Sequence, residues 1–117
     1  MKQNGILYDI LEENECGFLL QMRNDHPVYQ GHFPGNPITP GVLTLQMVRE
    51  CLGHLIGQEL HYLAIKNCRF VAMVRPGDKL RLTIQSDNVE GVVKLKASLC
   101  ASDNSEDVRL QLDADLQ

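Results

Sequence analysis

The chain has 117 residues, 44% of them hydrophobic, and a formal net charge of −4, which suits one domain (residues 1–117) with a single core and offers no nucleic-acid surface. No apolar run reaches the ~18 residues of a membrane span, and the opening MKQNGILYDILEENE does not read as a secretion signal. Cys16, Cys51, Cys68 and Cys100 form no C-x-x-C pair and no nucleotide-type glycine pattern is present, so we expect buried free thiols in a reducing cytoplasm, no metal and no cofactor.

Ile6 to Glu13 alternates irregularly and reads as a first strand, followed by a turn at Asn14 to Gly17. Gly17 to Arg23 reads as a second strand. Next comes a loop in which Gly31, Gly35 and Gly41 alternate with Pro34, Pro37 and Pro40. Prolines fix φ and glycines permit positive φ, so this run codes one particular backbone path. His32 lies inside it. From Val42 to Ile56 the chain is apolar around most of a helix, which predicts a helix from Pro40 to near Gly57, buried on nearly every side. Thr39 is the expected N-cap, with Pro40 at the first helical position and Gly57 as C-cap.

Leu60 to Val74 reads as a long, bulged strand, and Arg75-Pro76-Gly77-Asp78 as a turn. The last third alternates strictly. Leu80, Leu82 and Ile84; Val93, Leu95, Ala97 and Leu99; and Val108, Leu110, Leu112, Ala114 and Leu116 each interleave with polar residues. Period two means one wet face and one buried face. The short polar links at Ser86 to Gly91 and Ser102 to Glu106 suit hairpins. The expected fold class is α+β: an antiparallel meander curled around one long helix.

Gln30-Gly31-His32-Phe33-Pro34-Gly35, then Pro37, then Pro40-Gly41-Val42-Leu43, resemble the loop and helix start of the hotdog-fold (3R)-hydroxyacyl-acyl carrier protein dehydratases of the FabZ/FabA type. Arg69-Phe70, Pro76-Gly77-Asp78 and the strand order match as well. The resemblance implies a hotdog homodimer, or a higher homo-oligomer, joined edge to edge. It also implies two tunnels at the interface for an acyl chain on a phosphopantetheine arm, borne by acyl carrier protein or coenzyme A. Phe33, Pro40, Gly41 and Val42 then fall at substrate-binding positions. The family's loop histidine falls on His32. Its helix carboxylate, supplied by the other subunit, falls on Gln46, and here the chain departs from the pattern.

The implied reaction removes water from a β-hydroxyacyl thioester. Histidine suits the base because its ordinary pKa lies near neutrality; a histidine that merely ties the loop together is the alternative for His32. The Gly41 N–H, at the positive end of the helix, has no intrahelical acceptor and suits a thioester carbonyl acquiring enolate charge. Gln46 can orient a hydroxyl or a water but has no proton to give. Glu50 lies one turn further along the same face, so it is a candidate to deliver the proton through water, unless it pairs with Arg49, Lys66 or Arg69. His26, His54 and His61 show no metal spacing. Lys66, Arg69, Arg75, Lys79, Arg81, Lys94 and Lys96 offer either a dock for an acidic carrier protein or an ordinary solvated sheet face.

Three functions compete: a dehydratase, a hotdog thioesterase with water on Gln46 or Glu50, and a non-catalytic or heterodimeric acyl-carrier-binding subunit. In the last case a partner chain gives the carboxylate that Gln46 replaces.

Overall fold

The computed structural model describes residues 2–31 and 35–117. Among the described residues six strands form one antiparallel sheet: β1 (Tyr8–Asn14), β2 (Gly17–Met22), β3 (Tyr62–Phe70), β4 (Lys79–Val89), β5 (Val92–Ala101) and β6 (Asn104–Leu116). Their spatial order is β1-β2-β4-β5-β6-β3. The helix α1 (Gly41–Ile56) joins β2 to β3, with a short 3-10 turn at Pro27–Gln30 before it.

The alternating residues of the last three strands all point one way. Leu80, Leu82, Ile84, Val93, Leu95, Leu99, Leu110, Leu112, Ala114 and Leu116 are buried in one cluster with Met47, Val48, Cys51 and Leu52 of α1. The one-sided sheet thus buries its apolar face against the apolar face of the helix. The hairpins are tighter than the sequence suggests. Val89 pairs with Val92, leaving only Glu90 and Gly91 between the strands. Both have positive φ, 55° and 84°, as the two-residue turns that match strand twist require. The polar residues Ser86, Asp87 and Asn88 and the exposed Val89 continue the strand instead of looping, because backbone pairing carries on where the side chains face water.

Two expectations at the helix need correction. The helix starts at Gly41 with Pro40 as N-cap, and among the described residues no side chain caps it. Thr39 is buried and its hydroxyl meets the Tyr29 hydroxyl at 2.8 Å, so the expected capping oxygen is used elsewhere. Nor is the helix covered on every side: Val42 is 72% exposed, and Gln46, Arg49 and Glu50 are half-buried. The sheet covers the face carrying Met47, Val48, Cys51 and Leu52 and leaves the start of the helix open. The C-cap is as expected, with Gly57 at φ 77° and its N–H bonded to the Gly53 carbonyl. β3 is bulged, with register shifts between Tyr62 and Ala64 and between Ile65 and Asn67. Among the described residues it pairs with β6 on one edge only.

Candidate active site

His32 and Phe33, the expected base and one of the substrate contacts, lie outside the described residues, as does Pro34. The chain on either side of them is held at several points. Before them, His26 caps the 3-10 turn: its Nδ1 accepts from the Val28 N–H at 3.0 Å. A neutral ring whose Nδ1 accepts carries its proton on Nε2. His26 Nε2 therefore donates to Gln3 Oε1, at 3.0 Å. After them, the Thr39 N–H donates to the Val74 carbonyl at 2.7 Å. The buried Tyr29–Thr39 hydroxyl pair ties the two flanks to each other.

That loop delivers the chain to the start of α1. Among the described residues the Gly41 N–H meets no acceptor, so a donor with helix-dipole support stands at the loop's end. The Phe70 ring lies against Gly41. Pro40 is half-buried beside it, and Val42 is the most exposed apolar residue of the helix.

One turn further on, Gln46 and Glu50 are in direct contact: Gln46 Nε2 donates to Glu50 Oε2 at 2.9 Å. Glu50 does not pair with Arg49, Lys66 or Arg69. Arg49 donates to the Leu60 carbonyl at 2.9 Å, Lys66 pairs with Asp115, and Arg69 reaches Gln111. Glu50 instead accepts from the Gln3 N–H (2.9 and 3.0 Å), the Asn4 N–H (3.0 Å) and the Tyr8 hydroxyl (2.9 Å). Burial pushes the Tyr8 phenol far above its ordinary value, with Cys51 and Glu50 adding to the shift, so Tyr8 is held as a donor. Burial likewise pushes the Cys51 thiol up to about 12, which leaves it unreactive.

Gln3, Asn4 and Tyr8 are partners that the sequence reading missed. The available signal was Glu50 itself: a carboxylate on a largely apolar helix needs donors. Two of those donors are backbone N–H groups, which no residue type advertises. Glu50, Tyr8, Arg49, Gly53 and His54 line a cleft of about 480 Å³ along the helix. His54 contacts Glu13 at 3.1 Å.

Among the described residues no cluster of His, Cys, Asp or Glu could hold a metal, and no helix is long and apolar enough to cross a membrane. On the outer sheet face Lys66 and Lys94 both pair with Asp115, at 3.2 and 3.1 Å. Burial works against that carboxylate's charge, but the two lysines hold it below the usual range.

Residues 9–110 match the family model described as ApeI-like, ApeI dehydratase. The chain is 39% identical over 98 residues to the 3-hydroxyacyl-acyl-carrier-protein dehydratase FabZ of Thermoanaerobacter sp. (strain X514), covering 77% of this chain and 69% of that protein. It is 38% identical over 81 residues to the FabZ of Caldanaerobacter subterraneus subsp. tengcongensis, covering 62% of this chain but only 57% of that protein. In fold it is similar to the dehydratase heterocomplex ApeI:P from Xenorhabdus doucetiae, with a TM-score of 0.65 and 21% identity over 92% of this chain and 93% of that one.

Proposed function

Because the chain belongs to the ApeI-like dehydratase family, we propose that it removes water from a 3-hydroxyacyl thioester on a phosphopantetheine arm, carried by acyl carrier protein or coenzyme A. The observation that carries this reading is the Gly41 N–H, which meets no acceptor among the described residues and stands at the start of α1, nine positions after His32 in the sequence. In the reaction the α C–H and β C–O bonds break, a C=C bond forms and water leaves. His32 takes the α-proton. The Gly41 N–H stabilises the thioester oxygen as enolate charge develops there. Pro40, Val42 and Phe33 flank the bound thioester. Gln46 holds the leaving hydroxyl but has no proton to give it.

The missing proton has two sources, and each goes with an assembly. In a homodimer the His32 imidazolium returns the proton it took to the departing hydroxyl. In a heterodimer a carboxylate from the partner chain supplies it, an assembly supported by the likeness in fold to the dehydratase heterocomplex ApeI:P. Either assembly has a natural joint. β3 has one unpaired edge, and Leu63, Ile65, Phe70, Val71 and Met73 are 44–56% exposed along it and just beyond. An apolar free edge is a template for a second strand.

The deciding experiment incubates the purified protein with a 3-hydroxyacyl thioester and follows both the 2-enoyl product and free thiol. Enoyl product without thiol release supports the dehydratase. Thiol release from a saturated acyl thioester would make it a thioesterase. Inactivity until a carboxylate-bearing family member is added selects the heterodimer.

A further inference from the structure

We propose that Arg109 is a positioning residue for the Gly41 donor: its guanidinium pins residues 71–78 across the end of the sheet, and those residues hold Thr39, two positions before Gly41. Residues 71–78 run from the end of β3 to the start of β4. Only Val74 among them is buried, while Val71 and Met73 are about half exposed. Apolar burial therefore anchors this segment at one point, and polar contacts have to supply the rest.

Arg109 supplies them. Its Nε and Nη2 bond the Asp107 carboxylate on its own strand, both at 3.1 Å. That fork leaves Nη1 for the crossing segment, where it donates to the Met73 carbonyl at 2.8 Å and to Asp78 Oδ2. The same Asp78 oxygen accepts from the Arg75 N–H at 2.9 Å, so the guanidinium and the turn share one carboxylate. The Arg109 side chain is only 14% exposed, and an ion pair shielded in this way is screened less than one on the surface. A planar guanidinium meets three partners at fixed angles, which the point charge of a lysine cannot do.

Between Met73 and Arg75 lies Val74, whose carbonyl accepts from the Thr39 N–H at 2.7 Å. Pro40 has no N–H to offer, and the Gly41 N–H meets no acceptor among the described residues. The Thr39 N–H is thus the last amide before the donor that ties the chain to a neighbouring segment. The proline ring fixes φ at Pro40, which is −57°. A shift at Thr39 therefore carries through to the direction of the Gly41 N–H. A donor to the thioester oxygen matters most as enolate charge grows there, so misdirecting it lowers kcat more than it weakens binding.

The catalytic part of this inference rests on the proposed dehydratase reading; the structural part does not. The test pairs kinetics with hydrogen exchange on the full chain. Arg109→Met keeps the stem and removes the guanidinium, and it should speed exchange at the Thr39 amide about tenfold. Val71 should stay protected, because its N–H bonds the Arg109 backbone carbonyl at 2.9 Å and that carbonyl remains. The variant should lower kcat about tenfold and leave KM nearly unchanged. Asp107→Asn cuts only the fork within β6, so both readouts should stay near wild type. Should Arg109→Met fail to fold, Asp78→Asn removes the shared charge while its amide oxygen still accepts from Arg75. It should move both readouts the same way, by about threefold. Unchanged Thr39 exchange in these folded variants would overturn the proposal. An equal effect of Asp107→Asn would make Arg109 a general brace of the sheet end and overturn it too. Faster exchange with kcat unchanged, or a loss carried by KM alone, would overturn its catalytic half. If the wild type dehydrates nothing, the dehydratase reading fails, and exchange at Thr39 still decides whether Arg109 holds it.

Discussion

The Phe70 ring occupies the space that a side chain on Gly41 would need: a β-carbon built there lies 2.8 Å from Phe70 Cζ. The end of β3 thus closes over the first residue of the helix, and Gly41 is required for packing as well as offering its N–H. Phe70 is 52% exposed, so the ring can swing aside. Gly41→Ala should therefore fold with a melting temperature within a few degrees of wild type. It should lose about 10²-fold in kcat, the scale of a disturbed oxyanion donor. Combining it with Phe70→Leu relieves the clash. Recovery of activity in the double variant, read in a steady-state dehydration assay, would trace the loss to the displaced ring.

Gln46→Glu should raise the dehydration rate of the chain assayed alone on the order of 10²-fold if a missing acid limits it. The new carboxyl would stand against Glu50, where Gln46 Nε2 now lies 2.9 Å away. Two carboxylates at that distance cannot both ionise easily, so they titrate as a pair with one pKa raised, and a proton is retained near neutrality. The sign for stability follows. A folded-state pKa raised above the unfolded value gives a contribution fully present in acid and lost as pH rises. Urea midpoints for the variant should fall relative to wild type between about pH 5 and pH 8. A variant no faster than an inactive wild type would leave the partner chain as the source of the acid.

In alkali the wild-type fold should weaken. Burial raises Cys51 from 9.0 to about 12, and Tyr8 and Tyr62 are pushed above their ordinary 10.0 in the same direction. These groups bind protons more tightly when folded, so their contribution is complete below about pH 9 and falls progressively as pH rises through the folded values. Denaturant midpoints at about pH 8 and about pH 10.5 measure it. A thiol reagent at about pH 8 should modify exposed Cys16 quickly and buried Cys51 only on unfolding.

A lysine at Leu63 or Val71 should convert the proposed edge-to-edge dimer to monomer, read by sedimentation velocity. Both residues are about half exposed and lie on or just after β3. Placing charge along an apolar edge is how proteins block strand addition. An unchanged sedimentation coefficient would place the assembly surface elsewhere.

The elements easiest to read in the sequence were those whose energetics are local. The alternation in β4, β5 and β6 reports directly which face is buried, and Gly57 ends the helix because only a left-handed residue fits there. The helix start was misread because a threonine hydroxyl suits both a cap and a buried partner, and the partner, Tyr29, lies ten residues away. Glu50 was recognisable as a candidate, but its surroundings were not. Three of its four donors sit 42 to 47 residues earlier in the chain, and two of those belong to the backbone. Contacts of that span depend on how β1 and the turn before it fold over α1, and no spacing rule reports that.

The strand order also sets a schedule for synthesis. β3 is made third but pairs with β6, which is made last. While the ribosome adds residues 71 to 104, at about 5–20 residues per second, β3 waits for seconds with both edges bare. Its Leu63 and Ile65, with Phe70 at its end, stay exposed even after folding. Nascent chains stalled or cleaved before residue 104 will therefore carry an unpaired apolar strand, and they are the species from which aggregation, or capture by a chaperone, should begin.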